Sequence, residues 1–150
     1  MKLYVAGPMR GYDDSNFPAF RAAAAELRSM GHEVFSPAEK DEEQFGAAAF
    51  QGKAEIQATK TARVGFDLRK ALLMDLTYIC SVADGIVLLK GWEKSSGATA
   101  ESATAVALGL KRYIQIDEGW MEIRPDGGIA TTDGKRVLDG GTISYLPSIH

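Results

Sequence analysis

Cysteine is almost missing from this chain, and that closes several chemistries at once. A single Cys80 in 150 residues cannot build a disulfide framework or a thiolate zinc site. Its place in the apolar stretch from Leu72 to Cys80 predicts a small buried hydrophobe. Histidine is equally scarce: His32 and His150 are too isolated for a metal site, and neither metal nor cofactor is expected. No apolar run approaches the ~20 residues of a membrane span. Met1-Lys2-Leu3-Tyr4-Val5-Ala6 runs straight into Gly7-Pro8 with no signal-peptide pattern, so a cytoplasmic protein without a membrane partner is expected. Basic excess is absent too. With 17 Lys and Arg against 20 Asp and Glu, a net charge of −3 gives no positive field for wrapping a nucleic acid polymer. Any phosphate contact should be local. The chain also lacks a Gly-x-Gly-x-x-Gly fingerprint, a Walker loop, internal repeats and a low-complexity linker.

What is present is the composition of one globular domain, 45% hydrophobic and 25% charged. Leu3 to Ala6 is a short apolar run that reads as a buried strand. Phe17 to Met30 follows with Phe17, Phe20, Ala24 and Leu27 at helical spacing, Asn16 as candidate N-cap and Gly31 as stop. His32 to Ser36 reads as a second strand closed by Pro37. Residues 39–65 form a polar, Ala-rich insertion of part-helical character. Asp67 to Cys80 is helical and puts Asp75 on or beside the apolar face, an expensive place for a carboxylate. Ile86 to Leu89 is the third strand, Thr99 to Leu110 the next helix and Arg112 to Ile116 the fourth strand.

Strands alternating with helices predict an α/β fold: a doubly wound, Rossmann-like or flavodoxin-like, mostly parallel sheet over residues 1–116. The Gly/Asp-rich residues 117–150 predict a β-hairpin-rich appendage on the same domain. Its candidate strands are Trp120 to Arg124, Gly128 to Thr131 and Arg136 to Leu138.

In an open parallel sheet, ligands bind beyond the carboxyl ends of the strands. Two loops there suit an anion. Gly7-Pro8-Met9-Arg10-Gly11 follows the first strand, with Arg10 as a planar fork of donors and glycines that let backbone approach closely. Ser95-Ser96-Gly97 follows the third strand and opens a helix, whose first N–H groups are free. Asp75 and Glu101 lie on helices on either side of the third strand. Two carboxyls in different environments suit chemistry at an anomeric carbon, one at the sugar and one at the leaving group. Spacing alone slightly favours the plainer reading, in which Asp75 caps or pairs locally and Glu101 serves only the helix dipole. Trp92 has two readings as well: stacking on a base at the crevice mouth, or covering the end of the sheet.

Leu3-Tyr4-Val5-Ala6-Gly7-Pro8-Met9-Arg10-Gly11, then Asp75-Leu76, Ala83-Asp84-Gly85-Ile86-Val87, Ser95-x-Gly97-x-x-x-Glu101 and Ala107-x-Gly109 together resemble the nucleoside 2-deoxyribosyltransferase superfamily over roughly residues 3–116. The resemblance implies that Glu101 is the nucleophile on C1′ of a sugar, that Asp75 assists the leaving base and that Tyr4 orients the Glu. Ser95, six residues before Glu101, and the Gly-Pro-Met-Arg-Gly loop are similar to the deoxynucleoside 5′-monophosphate N-glycosidase branch. Free-nucleoside transferases tend to carry Asp at that position. The segment from Gly91 to Glu101 also looks like an uncharacterised, often phage-borne group, and it departs from the hydrolase branch in lacking Gly-x-Gly just before the Glu.

The implied function is hydrolysis of a (deoxy)nucleoside 5′-monophosphate to free base and sugar phosphate. Gly7, Met9, Arg10, Gly11, Trp92, Ser95 and Gly97 would hold the substrate. Two rivals stand beside it: a 2-deoxyribosyltransferase, and a non-catalytic nucleotide-binding or sequestering protein. The resemblance also implies a homodimer or higher homo-oligomer whose subunits complete one another's sites.

Overall fold

The computed structural model describes residues 1–117 and 119–123. Among these residues five strands form one sheet: β1 (Lys2–Ala6), β2 (Glu33–Phe35), β3 (Gly85–Leu88), β4 (Lys111–Ile116) and β5 (Gly119–Ile123). Their order is β2-β1-β3-β4-β5, parallel except for the antiparallel β4–β5 pair. Five helices accompany them: α1 (Phe17–Ser29), α2 (Pro37–Phe45), α3 (Ala54–Arg63), α4 (Leu68–Ser81) and α5 (Ser96–Ala107). The expected doubly wound, mostly parallel α/β fold is what this chain adopts. Among the described residues no helix is long and apolar enough to cross a membrane.

β1 and β3 are uninterrupted apolar runs because both of their faces are covered. Alternation along β1 then sorts its side chains between two cores. Leu3 and Val5 face α1, packing with Phe17, Phe20 and Leu27. Tyr4 and Ala6 face the other way, with Ile79 of α4 and Ala98 and Ala105 of α5. Both acid-bearing helices therefore lie over the sheet face that Tyr4 occupies.

From β1 the chain turns through α1 to β2 on one side, whereas β3 pairs on β1's other side, at Tyr4 to Ile86 and Ala6 to Leu88. This reversal between β1 and β3 leaves a crevice at their carboxyl ends.

Several boundaries differ from the sequence reading for local reasons. Asn16 does not cap α1: it is left-handed (φ 59°), and its side-chain amide donates to the Pro8 carbonyl at 2.8 Å. It pins the loop after β1. Pro37 does not end a strand but opens α2, where its fixed φ and missing N–H suit a first helical position. Residues 39–65 are mostly helical. α2 ends at Gly46 (φ 83°), a short 3-10 turn spans Ala47–Phe50, and α3 follows. Phe50 stacks on Phe17 at 4.7 Å between ring centres and meets Phe66 edge-on at 6.1 Å, which moors the insertion to α1. α5 begins at Ser96 because the Ser95 side chain caps it, accepting from Ala98 N at 3.2 Å, and it ends at Ala107. Cys80 is exposed, not buried, on the outer side of α4. Within the appendage, β5 matches the Trp120 expectation; Arg124 and the strands expected at 128–131 and 136–138 lie outside the described residues.

Candidate active site

A cavity of about 510 Å³ opens where β1 and β3 end. Tyr4, on β1, is fully buried beneath it, and its hydroxyl donates to Glu101 Oε1 at 2.8 Å across 97 residues of sequence. Glu101 sits in the second turn of α5 and is 6% exposed; Asp75, halfway along α4, is 8% exposed. Both line the cavity. Tyr4 has one hydroxyl proton, and Glu101 takes it, whereas Asp75 Oδ1 has no hydrogen-bond partner among the described residues.

Burial controls the proton affinities of this cluster. Removal from water pushes Glu101 up to about 8; the Tyr4 hydrogen bond opposes the rise and the charge of Asp75 adds to it. Asp75 is raised to about 6 by burial, against a pull from the Tyr4 hydroxyl. Tyr4 itself is held well above 10 by burial first and then by the two acids. A third carboxyl, Asp41 of α2, also lines the cavity at 5% exposure. Burial first and Asp75 second raise it to about 7.

The anion-friendly loops border the same space. Met9 and Arg10 line it after β1, and Lys94, Ser95, Ser96 and Gly97 line it after β3. The side chains of Arg10 and Lys94 are exposed and make no ion pair or hydrogen bond with the described residues. Ser95 Oγ is used as an acceptor in the helix cap, which leaves its own proton free to donate outward. At Gly97 an added Cβ would find nothing nearer than Ser95 Oγ at 3.9 Å, so no protein packing requires glycine there. Gly7 is different: a Cβ there would meet Leu89 at 2.9 Å, and the glycine lets β1 and β3 run on together beneath the cavity.

Two of the expected substrate contacts are placed elsewhere. Gly11 does not line the cavity; it supplies the left-handed turn (φ 79°) that reverses the loop after Arg10. Trp92 is half-buried, packs against the core cluster that includes Ile79, Ala98 and Ala105, and does not line the cavity. The sequence reading missed Asp41, Lys94 and Phe66. Asp41 was recoverable once Pro37 is read as a helix start, since position 41 then shares a face with Pro37 and Ala38.

Among the described residues no group of three His, Cys, Asp or Glu is arranged to hold a metal ion. What the arrangement offers is a pair of buried carboxyls beside an edge with two free cations and a helix N-terminus. A family model described as a domain of unknown function (DUF4406) matches residues 1–113. No curated protein matches the chain.

Proposed function

The chain belongs to the DUF4406 family, and we propose that it hydrolyses the N-glycosidic bond of a (deoxy)nucleoside 5′-monophosphate, releasing free base and sugar phosphate. The observation that carries this reading is the convergence of Tyr4-bonded Glu101 and Asp75 on one cavity bordered by Arg10, Lys94 and the capped start of α5. It agrees with the resemblance to the nucleoside 2-deoxyribosyltransferase superfamily, and Ser95 together with the Arg10 loop favours the monophosphate glycosidase branch.

In this mechanism Glu101 attacks C1′, the bond from C1′ to the base nitrogen breaks, and Asp75 gives its proton to the departing base. Water then attacks C1′, giving its proton to the Asp75 carboxylate, and the bond to Glu101 breaks to return Glu101 as the anion and Asp75 as the acid. Glu101 must react as the anion, yet burial holds it above Asp75 in the empty cavity. Two features favour the required state. Tyr4 donates to Glu101 specifically, and positive charge developing at C1′ stabilises the neighbouring carboxylate. A phosphate dianion would meet Arg10, Lys94, the Ser95 hydroxyl and the free N–H groups of α5.

Product analysis across nucleosides and their monophosphates, with and without a second free base, tests the reading. Free base plus sugar phosphate is expected; a new nucleotide would identify the transferase instead. Arg10→Ala and Ser95→Ala should each weaken kcat/KM for monophosphates by roughly 10- to 100-fold, the worth of a charge-assisted contact, and leave the slow cleavage of nucleosides unchanged. If nucleotide and nucleoside lose equally, the cradle is wrongly assigned.

A homodimer belongs to the same proposal. α4 exposes Leu68 (50%), Leu73 (68%) and Met74 (36%) on a helix that also walls the cavity, and Leu68 stands at its mouth. Leu73 and Met74 face away from the cavity, so a second copy that completes the site would seat on Leu68 at the mouth, burying it and closing the crevice. Leu68→Asp is expected to convert a dimer to monomer in light scattering. A wild-type monomer at working concentration would dismiss the dimer.

A further inference from the structure

Asp41 is the cavity acid to which the mechanism assigns no task. It is 5% exposed and lines the cavity, and its carboxyl makes no hydrogen bond or ion pair with the described residues. A buried carboxyl without a donor costs the fold unless a ligand satisfies it. The cavity that it lines also has apolar walls, Pro37, Phe66, Leu68 and Leu72, and Asp75 is near enough for its charge to act on Asp41. Apolar walls beside an unpartnered carboxyl suit a flat ring that is read along one edge.

Topology places this carboxyl at the correct reach. The anion-binding segment follows β3, Tyr4 lies on β1 between, and α2 follows β2. Adjacent strands are ~4.8 Å apart, so the tips of β3 and β2 are separated by about 10 Å. That is roughly the span of a nucleotide from phosphate to base, with the sugar over Tyr4 and its two acids.

We propose that Asp41 reads the base, its carboxylate accepting a hydrogen bond from the amino group of cytosine or adenine and turning away the 4-oxo and 6-oxo bases. The proposal rests on the nucleotide reading above. An ionised carboxylate only accepts. An amino group at C4 or C6 brings two N–H donors to it, whereas uracil, thymine, guanine or hypoxanthine presents a carbonyl oxygen at that place, lone pair against lone pair. The discrimination is fullest where Asp41 is ionised, above the value of about 7 to which burial and Asp75 raise it.

The test uses matched pairs differing only at that position: deoxycytidine against deoxyuridine monophosphate, and deoxyadenosine against deoxyinosine monophosphate. Base release and equilibrium binding are measured near pH 8 for the wild type, Asp41→Ala and Asp41→Asn. The wild type should favour the amino-bearing member of each pair by roughly 10- to 100-fold, the range of one good side-chain contact to a base edge. Asp41→Ala should erase that preference, and Asp41→Asn, which still offers an amide oxygen, should keep part of it. Equal handling of both members by the wild type, or a preference that survives in Asp41→Ala, overturns the proposal. Should Asp41→Ala fail to fold, the wild-type ratios and the asparagine variant decide. Failure of the nucleotide reading looks different, since then no member of either pair binds or is cleaved.

Discussion

Glu101→Gln is expected to abolish base release while leaving the nucleotide bound. The amide keeps the size of the carboxylate and can still accept the Tyr4 hydrogen bond of 2.8 Å, so the cavity should keep its shape. It cannot form the ester to C1′. Loss of a nucleophile that acts together with a second acid and an orienting group should cost on the order of 10³-fold or more in kcat, with KM little changed. Tyr4→Phe removes only the donor to Glu101, and roughly 10²-fold is the expected loss, that of a single preorganised hydrogen bond. Single-turnover assays with a monophosphate, beside calorimetric binding, separate the cases. Full activity in Glu101→Ala would end the nucleophile assignment. A wild type that binds nucleotide and never releases base would instead make the protein a sequestering one.

The site divides cleanly into what the chain writes locally and what only folding reveals. β1 and β3 were legible because central parallel strands must be apolar on both faces, and Leu3–Ala6 and Ile86–Leu89 are continuous runs. Asp75 stood out as a charge on an apolar helix face, and burial at 8% exposure explains why that is unusual. The Tyr4–Glu101 bond could be anticipated only through family resemblance, since no local pattern links residues 97 positions apart. Asp41 was hidden for a different reason. In the run Asp41-Glu42-Glu43 one acid turns inward and its neighbours stay outside, a choice made by the helix phase that Pro37 sets and by the aromatic mooring of Phe50 and Phe66. Trp92 shows the reverse limit: an aromatic beside a candidate crevice invites a stacking role, yet only the fold shows it half-buried against the core and outside the cavity lining.

Stability should fall as pH rises from about 5 to about 8, the opposite of the acid-sensitive behaviour common in proteins held by ion pairs. Asp41, Asp75 and Glu101 are raised to about 7, 6 and 8, all above their values in an unfolded chain. Between those limits the native state binds more protons than the unfolded one, so the slope of unfolding free energy with pH is negative. Their contribution is complete below the unfolded carboxylate values and is lost as pH climbs through the native ones. Each proton of difference is worth up to about 1.4 kcal/mol per pH unit, and about 1 kcal/mol moves the melting temperature of a chain this size by ~2–4 °C. Glu39, lowered by the Arg28 hydrogen bond, acts in the other sense, but its window lies below the ordinary carboxylate range and leaves the interval above pH 5 to the three cavity acids. Melting curves should therefore drop by several degrees across the window. Asp41→Asn combined with Glu101→Gln should flatten the slope and leave the double variant the more stable protein near pH 8. A wild-type melting temperature that holds steady or climbs over this range would mean that these acids are solvated, and a solvated cluster would have neither the raised proton affinity nor the water-excluded nucleophile that the glycosidase chemistry requires.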